Sequence, residues 1–403
     1  MTKAKDSPFC IRPFTSIILN ANGEVKPCCY IDKKQSDYKG VKDFNIKTSS
    51  VDEYWNSDYR QYLQNQFLND FKPKECQTCW KHEAENTISG RQLANRAHKF
   101  LAKTNYEKYL KLLGKLKLDQ PQEYEITITN LCNLKCMMCN GAHSSKLLIE
   151  NHAIGEELNV KQSDYDWSDK TKKNLVESIA PKTVKRMSLL GGESLLVPDI
   201  IQILDNFSQT EYAKDLELTV VTNGTVFNER IRNILSKFKK LTVMFSMEST
   251  DTQNNYMRFP SNWQTINDNI EGFKSLQNAY LYINCVVQNL NILYIDQLVN
   301  FASNNGIHLN LTRLVDPDYL QINNLPISVL ELAYQRLNAI PKERLIHTTN
   351  VENVTEAVYN MIKNNNEPKK ETFEKFKKMI ILRDKYRKIS IQNYMPELAK
   401  EIF

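Results

Sequence analysis

The sequence predicts an α/β fold: a partial (β/α)6 barrel, preceded by a small α+β domain anchored by cysteines and followed by a helical extension. Short apolar strands alternate six times with helical segments between residues 124 and 317. Eight of the nine cysteines precede residue 140, and residues 318–403 show helical periodicity with no further strand. At roughly 150 residues per domain, the chain has room for two or three domains. We therefore divide it into 1–123, 124–317 and 318–403.

The composition is that of an ordinary globular protein. Hydrophobic residues make up 41% and charged residues 25%, which excludes a mainly disordered chain. No apolar run approaches the roughly 20 residues that a membrane-spanning helix needs, and the first residues lack a signal-peptide core. The net charge of +6 is too small to indicate a nucleic-acid-binding protein. We expect a cytoplasmic protein outside the membrane, with nucleic acid a disfavoured partner.

The first region begins with a pattern typical of a β-hairpin. A strand-like run at 15–19 leads into a turn at Gly23, and a second short run ends at Cys28. A break that contains Pro121 separates this region from the next. Two stretches in between show helical periodicity, namely 51–68 and 91–118.

The second region repeats a strand–helix unit, which implies a parallel sheet because parallel strands need crossover connections. Six repeats fit a partial barrel better than a closed eight-stranded one. The expected strands are 124–129, 186–190, 216–222, 241–247, 281–288 and 308–315. The expected helices are 169–179, 199–207, 228–238, 263–276 and 295–304.

Three cysteines follow the first of these strands, at Cys132, Cys136 and Cys139. Barrel enzymes place their chemistry where strands end, and clustered cysteines in a reducing compartment more often bind metal than form disulfides. Three thiolates on one loop can hold three corners of a four-iron cluster. The alternative is a zinc site, which prefers four ligands and would require His143 as the fourth.

At this loop the sequence resembles the radical S-adenosylmethionine (radical SAM) superfamily, whose members carry this cysteine motif after the first strand of a partial barrel. The resemblance implies an enzyme with a 4Fe-4S cluster on the three cysteines and SAM on the open iron. Reductive cleavage of SAM would give a 5′-deoxyadenosyl radical that abstracts hydrogen from a substrate. It also implies an electron-donating partner such as a flavodoxin or ferredoxin.

Further motifs follow the second strand and the cysteine loop. Gly191, Gly192 and Glu193 are similar to the family's GGE motif, which contacts the SAM amino group. Glycines let backbone approach a ligand closely, and a carboxylate can accept from an ammonium. Met138 matches a position, often aromatic, that packs on adenine, which a thioether also does well.

The next two strand ends complete the set of SAM-binding residues that the resemblance implies. Thr222 and Asn223 end the third strand, and Ser246 and Glu248 end the fourth. They match positions that offer polar groups to the carboxylate and ribose of SAM, although many relatives carry Asp where Glu248 stands. Arg258 is expected to bind a carboxylate, that of SAM, because a guanidinium forms a fixed fork with it. The alternative for Arg258 is a surface ion pair.

The amino-terminal cysteines resemble the SPASM/twitch pattern, in which a hairpin and a following loop hold an auxiliary 4Fe-4S cluster. Cys10, Cys28, Cys76 and Cys79 are the implied ligands, with Cys29 as a spare or a substitute for Cys28. One such set fits a twitch domain better than a two-cluster SPASM domain. In most relatives this module follows the barrel, whereas here it precedes it. A four-cysteine zinc site is the alternative.

The last region contains a basic segment, 369–388, with nine Lys/Arg against three Asp/Glu. Its apolar residues recur at helical spacing, which favours an amphipathic surface helix over a patch for an anionic partner. These apolar residues are Phe373, Phe376, Ile380 and Ile381. Cys285 lies within a strand pattern and is expected to be a buried, inert thiol.

The substrate does not follow from the sequence. The family resemblance allows peptides, nucleotides and sugars, and fold-level likeness cannot choose among them. We favour a peptide or protein side chain, modified by oxidation, crosslinking or rearrangement. Two other hypotheses stay open at this point: a non-catalytic iron–sulfur or zinc-binding interaction protein, and a radical enzyme that modifies RNA or nucleotides through the basic helix.

Overall fold

A computed structural model describes residues 7–40, 42–98, 118–365 and 367–403. In these ranges a single sheet has the strand order β2-β1-β3-β4-β5-β6-β7-β8-β9 and does not close into a full barrel. The strands are β1 Ser16–Leu19, β2 Val25–Lys26, β3 Glu123–Ile126, β4 Arg186–Leu189, β5 Glu217–Thr222, β6 Lys240–Ser246, β7 Ala279–Val287, β8 His308–Arg313 and β9 Thr348–Thr349. The predicted partial barrel is therefore confirmed, and its six predicted strands correspond to β3–β8.

The predicted helices are present, and the second region holds two more, at 145–153 and 251–257, that were not predicted. The first region holds α1 Arg12–Thr15, α2 Val51–Trp55, α3 Asp58–Leu68, α4 Gln77–Ala84 and α5 Gly90–Ala97. The second holds α6 Ser145–Ala153, α7 Asp169–Ser178, α8 Pro198–Ser208, α9 Glu229–Leu235, α10 Asp251–Met257, α11 Trp263–Lys274 and α12 Ile295–Asn305. The last holds α13 Ile327–Asn338, α14 Val351–Lys363, α15 Lys370–Arg387, α16 Ile391–Tyr394 and α17 Pro396–Ile402. The helix expected at 91–118 begins as α5, but most of that range lies outside the described residues.

Strand pairs β3 to β8 are all parallel, as the alternation of strands and helices requires. Along each strand every second residue is buried, such as Leu218 and Val220 on β5 and Val243 on β6, and packs with the helices in one core. We call the opposite side of the sheet the inner face. Since the carboxyl ends of parallel strands meet at one edge of a sheet, the loops after β3–β6 gather there.

The amino-terminal hairpin extends this sheet. β1 pairs antiparallel with β2 and parallel with β3, in the register Ser16 to Glu123 and Leu19 to Ile126. Gly23 forms the hairpin turn with a φ of +89°, a conformation that favours glycine. The first region is therefore joined to the barrel by main-chain hydrogen bonds.

The carboxyl-terminal region is mainly helical, as expected, but the expectation of no further strand was wrong. β9 pairs in parallel with β8, in the register Leu309 to Thr348 and Asn310 to Thr349. A strand of two residues is too short to produce a hydrophobic alternation in the sequence. Among the described residues, no helix is long and apolar enough to cross a membrane.

Candidate active site

The cysteine loop lies between β3 and α6, at the carboxyl edge of the sheet. Cys132 and Cys136 are buried and Cys139 is half-buried, and all three line one cavity of about 730 Å³, including its open mouth. Gly192 and Ser246, from the ends of β4 and β6, line the same cavity. The fold thus brings the cysteine motif against the ends of neighbouring strands.

Main-chain hydrogen bonds fix the shape of this loop. The N–H of Lys135 donates to the Phe259 carbonyl at 2.6 Å, and the N–H of Met137 donates to the Met257 carbonyl at 2.8 Å. Ser144, the N-cap of α6, donates through its hydroxyl to the Leu134 carbonyl at 2.6 Å. The loop is therefore held both by the segment after α10 and by the helix that follows it.

Burial controls the protonation of the loop thiols. It raises the pKa of Cys132 and of Cys136, and it raises that of Cys139 to about 11. The Arg258 guanidinium opposes this rise, with Nη1 lying 3.6 Å from the Cys136 Sγ. Since iron binds thiolate, loading a cluster here must release protons from these thiols.

The two glycines after β4 permit a close contact between two chain segments. Gly191 has a φ of +114°, and a Cβ there would lie 2.5 Å from the Thr127 side chain. A Cβ at Gly192 would collide with the carbonyl oxygen of Leu131. The adjacent N–H of Glu193 donates to that same carbonyl at 2.8 Å. The glycines thus let the turn after β4 lie directly on the cysteine loop.

Glu193 is fully buried, with 0% of its surface exposed, and its side chain is not among those that line the cavity. Its carboxylate accepts from the Thr222 hydroxyl at 2.9 and 3.0 Å and from the Asn223 N–H at 2.7 Å. Burial raises the pKa of Glu193 to about 7, against these hydrogen bonds. In this structure the side chain therefore holds the end of β5 in place by hydrogen bonds. Its contact with the SAM amino group stays a prediction.

Glu248 and Arg258 form a buried ion pair. The guanidinium contacts the carboxylate through Nε and through Nη2, the latter at 2.9 Å, so the contact is bidentate. Burial disfavours the charge of Arg258, but Glu248 outweighs this and the pKa of Arg258 is raised. Arg258 lines the cavity, whereas Glu248 is not among its lining residues. The arginine therefore binds a carboxylate, as expected of its fork, although the carboxylate observed is that of Glu248 inside the protein.

The remaining predicted SAM-binding residues, Met138, Thr222, Asn223 and Ser246, line the cavity. Asn223 donates from Nδ2 to Asn133 at 2.9 Å, and this nitrogen lies 3.9 Å from the Cys132 Sγ. His143, the fourth ligand of the zinc alternative, also lines the cavity, and burial lowers its pKa. Among the predicted SAM-binding residues, Glu193 and Glu248 alone are placed behind the cavity.

The second cysteine set lines a separate cavity of about 420 Å³, including its open mouth, in the first region. Cys10, Cys28, Cys76 and Cys79 all contribute to its wall, whereas Cys29 is exposed and does not. The other lining residues are mostly apolar, namely Pro13, Pro27, Tyr30, Ile31, Leu63, Phe67 and Arg91. Within the described ranges, no three His, Cys, Asp or Glu side chains are grouped closely enough to hold a single metal ion.

The two cavities lie at opposite ends of the strands. Cys10 precedes β1, and Cys28 follows β2, which runs antiparallel to β1. Both therefore lie at the amino edge of β1 and β3, whereas the loop of Cys132 follows the carboxyl end of β3. The inner face of the sheet extends from one edge to the other.

Sequence reasoning missed two arginines that contact the cysteine loop. Arg383 and Arg387 of α15 are buried and donate to main-chain carbonyls at Cys136 and Lys135, respectively. They continue the spacing of the buried residues Phe376 and Ile380 along one side of the helix, and this was the available signal. The predicted helix is present, but its basic residues are not all on a solvated face, since these two arginines are buried while Ile381 is exposed.

The expected burial of Cys285 is confirmed: its side chain is fully buried on β7. The Asn291 Nδ2 lies 3.3 Å from its Sγ, and the Glu248 carbonyl lies 3.8 Å from it. Cys285 thus packs behind the ion pair of Glu248 and is not among the residues that line either cysteine cavity.

Two domain families match this chain. The radical SAM superfamily matches residues 126–302, and an iron–sulfur cluster-binding domain, SPASM, matches residues 10–80. The chain is 25% identical over 229 residues to GTP 3',8-cyclase of Aquifex aeolicus, covering 56% of this chain and 67% of the relative. It is 23% identical over 218 residues to the radical SAM cyclopropyl synthase TigE of Paramaledivibacter caminithermalis, covering 51% and 44%.

The chain thus spans between about two fifths and two thirds of the length of these relatives. Among solved structures, Streptococcus suis SuiB bound to precursor peptide SuiA matches with a TM-score of 0.41 and 16% identity, over 82% of this chain and 70% of that chain. A similarity at this level does not establish a shared substrate. The two domain matches, however, cover both cysteine sets. This chain therefore carries a radical SAM domain with a SPASM domain ahead of it, and these matches support a radical SAM enzyme with SAM and iron–sulfur clusters as cofactors.

Proposed function

We propose that this enzyme reductively cleaves SAM in the cavity of the cysteine loop and abstracts a hydrogen atom from a substrate. One observation carries the proposal: Cys132, Cys136 and Cys139 line a single cavity together with residues from the ends of β4, β5 and β6. A site with three thiolates leaves one corner of a four-iron cluster for a cofactor. When bound, the cluster and SAM supply a 5′-deoxyadenosyl radical.

The chain's own residues would position SAM. Thr222, Asn223 and Ser246 offer hydroxyl and amide groups toward its carboxylate and ribose, and Met138 offers a polarizable surface to the adenine. The glycine turn after β4 leaves main chain open to the ligand. Because Glu248 occupies two nitrogens of the Arg258 guanidinium, Nη1 keeps a fixed direction toward the cysteine loop.

For the first region, we propose that Cys10, Cys28, Cys76 and Cys79 bind an auxiliary 4Fe-4S cluster, with Cys28 rather than Cys29 as the ligand. The apolar lining supports this assignment because it excludes water from the cluster. Substrate would then bind along the inner face between the two cysteine sets. We also propose the division into domains at 1–123, 124–317 and 318–403. The pairing of β1 with β3 joins the first two.

The inner face favours a peptide or protein side chain over a nucleoside triphosphate. The residues on this side of β4–β8, away from the amino ends, are neutral or histidine, with Glu125 on the neighbouring β3: Ser188, Thr219, Val221, Thr242, Met244, Tyr282, Asn284, Val286, His308, Asn310 and Thr312. Arg186 is paired with Glu123 at 3.0 Å and Glu217 at 3.4 Å, and Lys240 is exposed at the start of β6. A triphosphate, as in the substrate of the GTP cyclase relatives, requires several available cations. Neutral hydroxyls and amides suit the amides of a peptide.

The electron needed for SAM cleavage must come from a partner. We propose a small reductase such as a flavodoxin or ferredoxin, and a cytoplasmic location, where thiols stay reduced until they bind iron.

Anaerobic reconstitution tests the central proposal. Reconstituted protein reduced with dithionite should convert SAM to 5′-deoxyadenosine and methionine, measured by mass spectrometry, and Cys136→Ala should not. Metal analysis should give about eight irons per chain for two four-iron clusters. Persistent absence of 5′-deoxyadenosine from iron-loaded protein would reject the proposal, whereas about four irons with one zinc would reject only the auxiliary cluster.

The substrate class has its own test. Equilibrium dialysis of reconstituted protein against GTP should show no saturable binding at micromolar concentrations, because the described residues in the middle of the inner face include no lysine or arginine. Tight, magnesium-dependent GTP binding would contradict the preference for a peptide and leave SAM cleavage unaffected.

A further inference from the structure

The long basic helix α15 contacts the main chain of the cysteine loop, and none of its residues is among those that line the cavity. Arg387 binds the buried carboxylate of Glu150 on α6, with Nε at 3.0 and 3.1 Å and Nη2 at 2.6 Å from its oxygens. The same Nη2 donates to the Lys135 carbonyl at 2.6 Å. Lys135 in turn places its Nζ 3.0 Å from Glu150. Glu150 therefore ties the loop, α6 and α15 together.

Arg383 lies one turn earlier on α15 and has no such anion. Its Nη1 is 3.5 Å from the carbonyl oxygens of Cys136 and Met137, and its Nη2 is 3.3 Å from the Asn151 Oδ1. Only 3% of the residue is exposed, and its Nε has no hydrogen-bond partner. Among the residues described by the structure, Arg383 is in no salt bridge. All its acceptors are neutral groups.

The carboxylates nearest Arg383 bind other groups, and Asp384, the next residue, accepts from the Tyr256 hydroxyl and the Ile391 N–H. Glu150 is shared by Lys135 and Arg387, and the nearby Glu157 accepts from Asn151 and from the Gly141 N–H. A buried guanidinium without an anion is unfavourable in the apoprotein. A four-iron cluster held by three thiolates carries net negative charge, which increases when it is reduced. Bound to the thiolates of this loop, that cluster would supply an anion beside the main chain that Arg383 contacts.

We infer that Arg383 and Arg387 are positioning residues for the cluster: they fix the main chain of the cysteine loop, and Arg383 stabilises the reduced cluster electrostatically. The inference rests on the proposed assignment of Cys132, Cys136 and Cys139 as cluster ligands. It gives α15, which lies outside both matched domains, a part in cofactor binding. The two arginines divide the task, since Arg387 is neutralised by Glu150 and Arg383 is not.

The test uses the full chain, reconstituted anaerobically, and follows the cluster whose electron paramagnetic resonance signal changes when SAM is added. Arg383→Gln should shift the midpoint potential of that cluster to more negative values, because the reduced state loses a nearby cation. Arg387→Gln should shift it less, and should release iron to a chelator faster. Lys385→Gln removes one exposed charge from the same helix and should change neither quantity.

Thermal unfolding of the apoproteins separates these effects from loss of the fold. If Arg383→Gln does not fold, Arg383→Lys is the variant to measure, since it keeps the charge but cannot bridge two carbonyls. Its cluster should keep the wild-type midpoint potential and should release iron to the chelator faster. An iron-loaded Arg383→Gln with an unchanged potential would overturn the electrostatic role. Wild-type iron release in Arg383→Lys and Arg387→Gln would overturn the positioning role. A wild-type protein without any SAM-sensitive cluster would instead refute the proposed function.

Discussion

The two cysteine cavities differ in what surrounds the sulfur atoms. The amino-terminal cavity, of about 420 Å³, has four cysteines in a mostly apolar wall. The cavity at the carboxyl edge of the sheet, of about 730 Å³, has three cysteines together with glycine, hydroxyl, amide and guanidinium groups. Four protein ligands suffice for a closed cluster, whereas three ligands beside polar groups leave room for a cofactor with carboxylate and hydroxyl groups. In each cavity, the number of cysteines and the chemistry of the wall indicate the same kind of cluster site.

The protonation of the thiols does not distinguish the two cavities. Burial raises the pKa of Cys10 to about 11 in the first and that of Cys139 to about 11 in the second. The arginines beside them differ more. Arg91 in the first cavity is held by Glu83 at 2.7 and 3.0 Å, and it donates to the Phe9 carbonyl at 2.6 Å. Arg258 in the second cavity keeps its Nη1 directed at the Cys136 Sγ, at 3.6 Å.

The largest expected effect is that of Cys136→Ala, which removes one of three ligands from the larger cavity. SAM cleavage should fall by at least roughly a thousandfold, to the detection limit, because the chemistry depends on that cluster. About four irons per chain should remain in the amino-terminal site. Iron content and 5′-deoxyadenosine are measured on the same sample. Retained SAM cleavage would show that the two cavities have been assigned the wrong roles.

Cys28→Ser and Cys29→Ser make a matched pair for the smaller cavity. Cys28 lines it and Cys29 is exposed, so the first change should remove about four irons and the second none. SAM cleavage without substrate should survive both changes, because the larger cavity is untouched. Equal iron loss in both variants, or loss in Cys29→Ser alone, would reverse the ligand assignment.

Gly192→Ala tests the close contact that shapes the larger cavity. The added Cβ would collide with the Leu131 carbonyl, so the apoprotein should lose about 1–3 kcal/mol of unfolding free energy and bind SAM more weakly. Denaturant unfolding and SAM binding are the measurements. Gly155→Ala, at a positive φ with open space around it, is the control and should leave SAM binding unchanged. Normal SAM binding in Gly192→Ala would mean that the turn does not shape the site.

An effect on stability alone is expected from the titration of Glu193, whose pKa is raised by burial from 4.5 to about 7. Between these values the unfolded chain ionises this carboxyl while the folded protein keeps its proton. Apoprotein stability should therefore fall with rising pH relative to Glu193→Gln, by up to about 3 kcal/mol, and level off above pH 7. Denaturant titrations from pH 4 to 8 check this. Parallel curves for the two proteins would show that the carboxyl is already ionised in the fold.

Sequence patterns predicted the strands β3–β8 and their helices well, because a parallel sheet covered by helices produces strong apolar periodicity. The side chains at the ends of these strands could be predicted from the sequence for the same reason. Thr222 and Ser246 line the cavity because they end strands whose carboxyl ends meet, and Arg258 reaches it from the end of α10. The pairing of β1 with β3 could not be predicted, since it joins segments more than 100 residues apart by main-chain hydrogen bonds that carry no side-chain signal.

The sequence by itself determined the cysteine spacing, the glycine turn and the succession of β3–β8 along the chain. Together these features indicated the family. These are local features, set by short-range geometry along the chain. Only the tertiary structure decided that Cys28 rather than Cys29 faces the smaller cavity, that Glu248 holds Arg258, and that Arg383 reaches the Cys136 carbonyl from 247 residues away. The direction of a side chain and the partner of a buried charge depend on packing between distant segments, which no local pattern encodes.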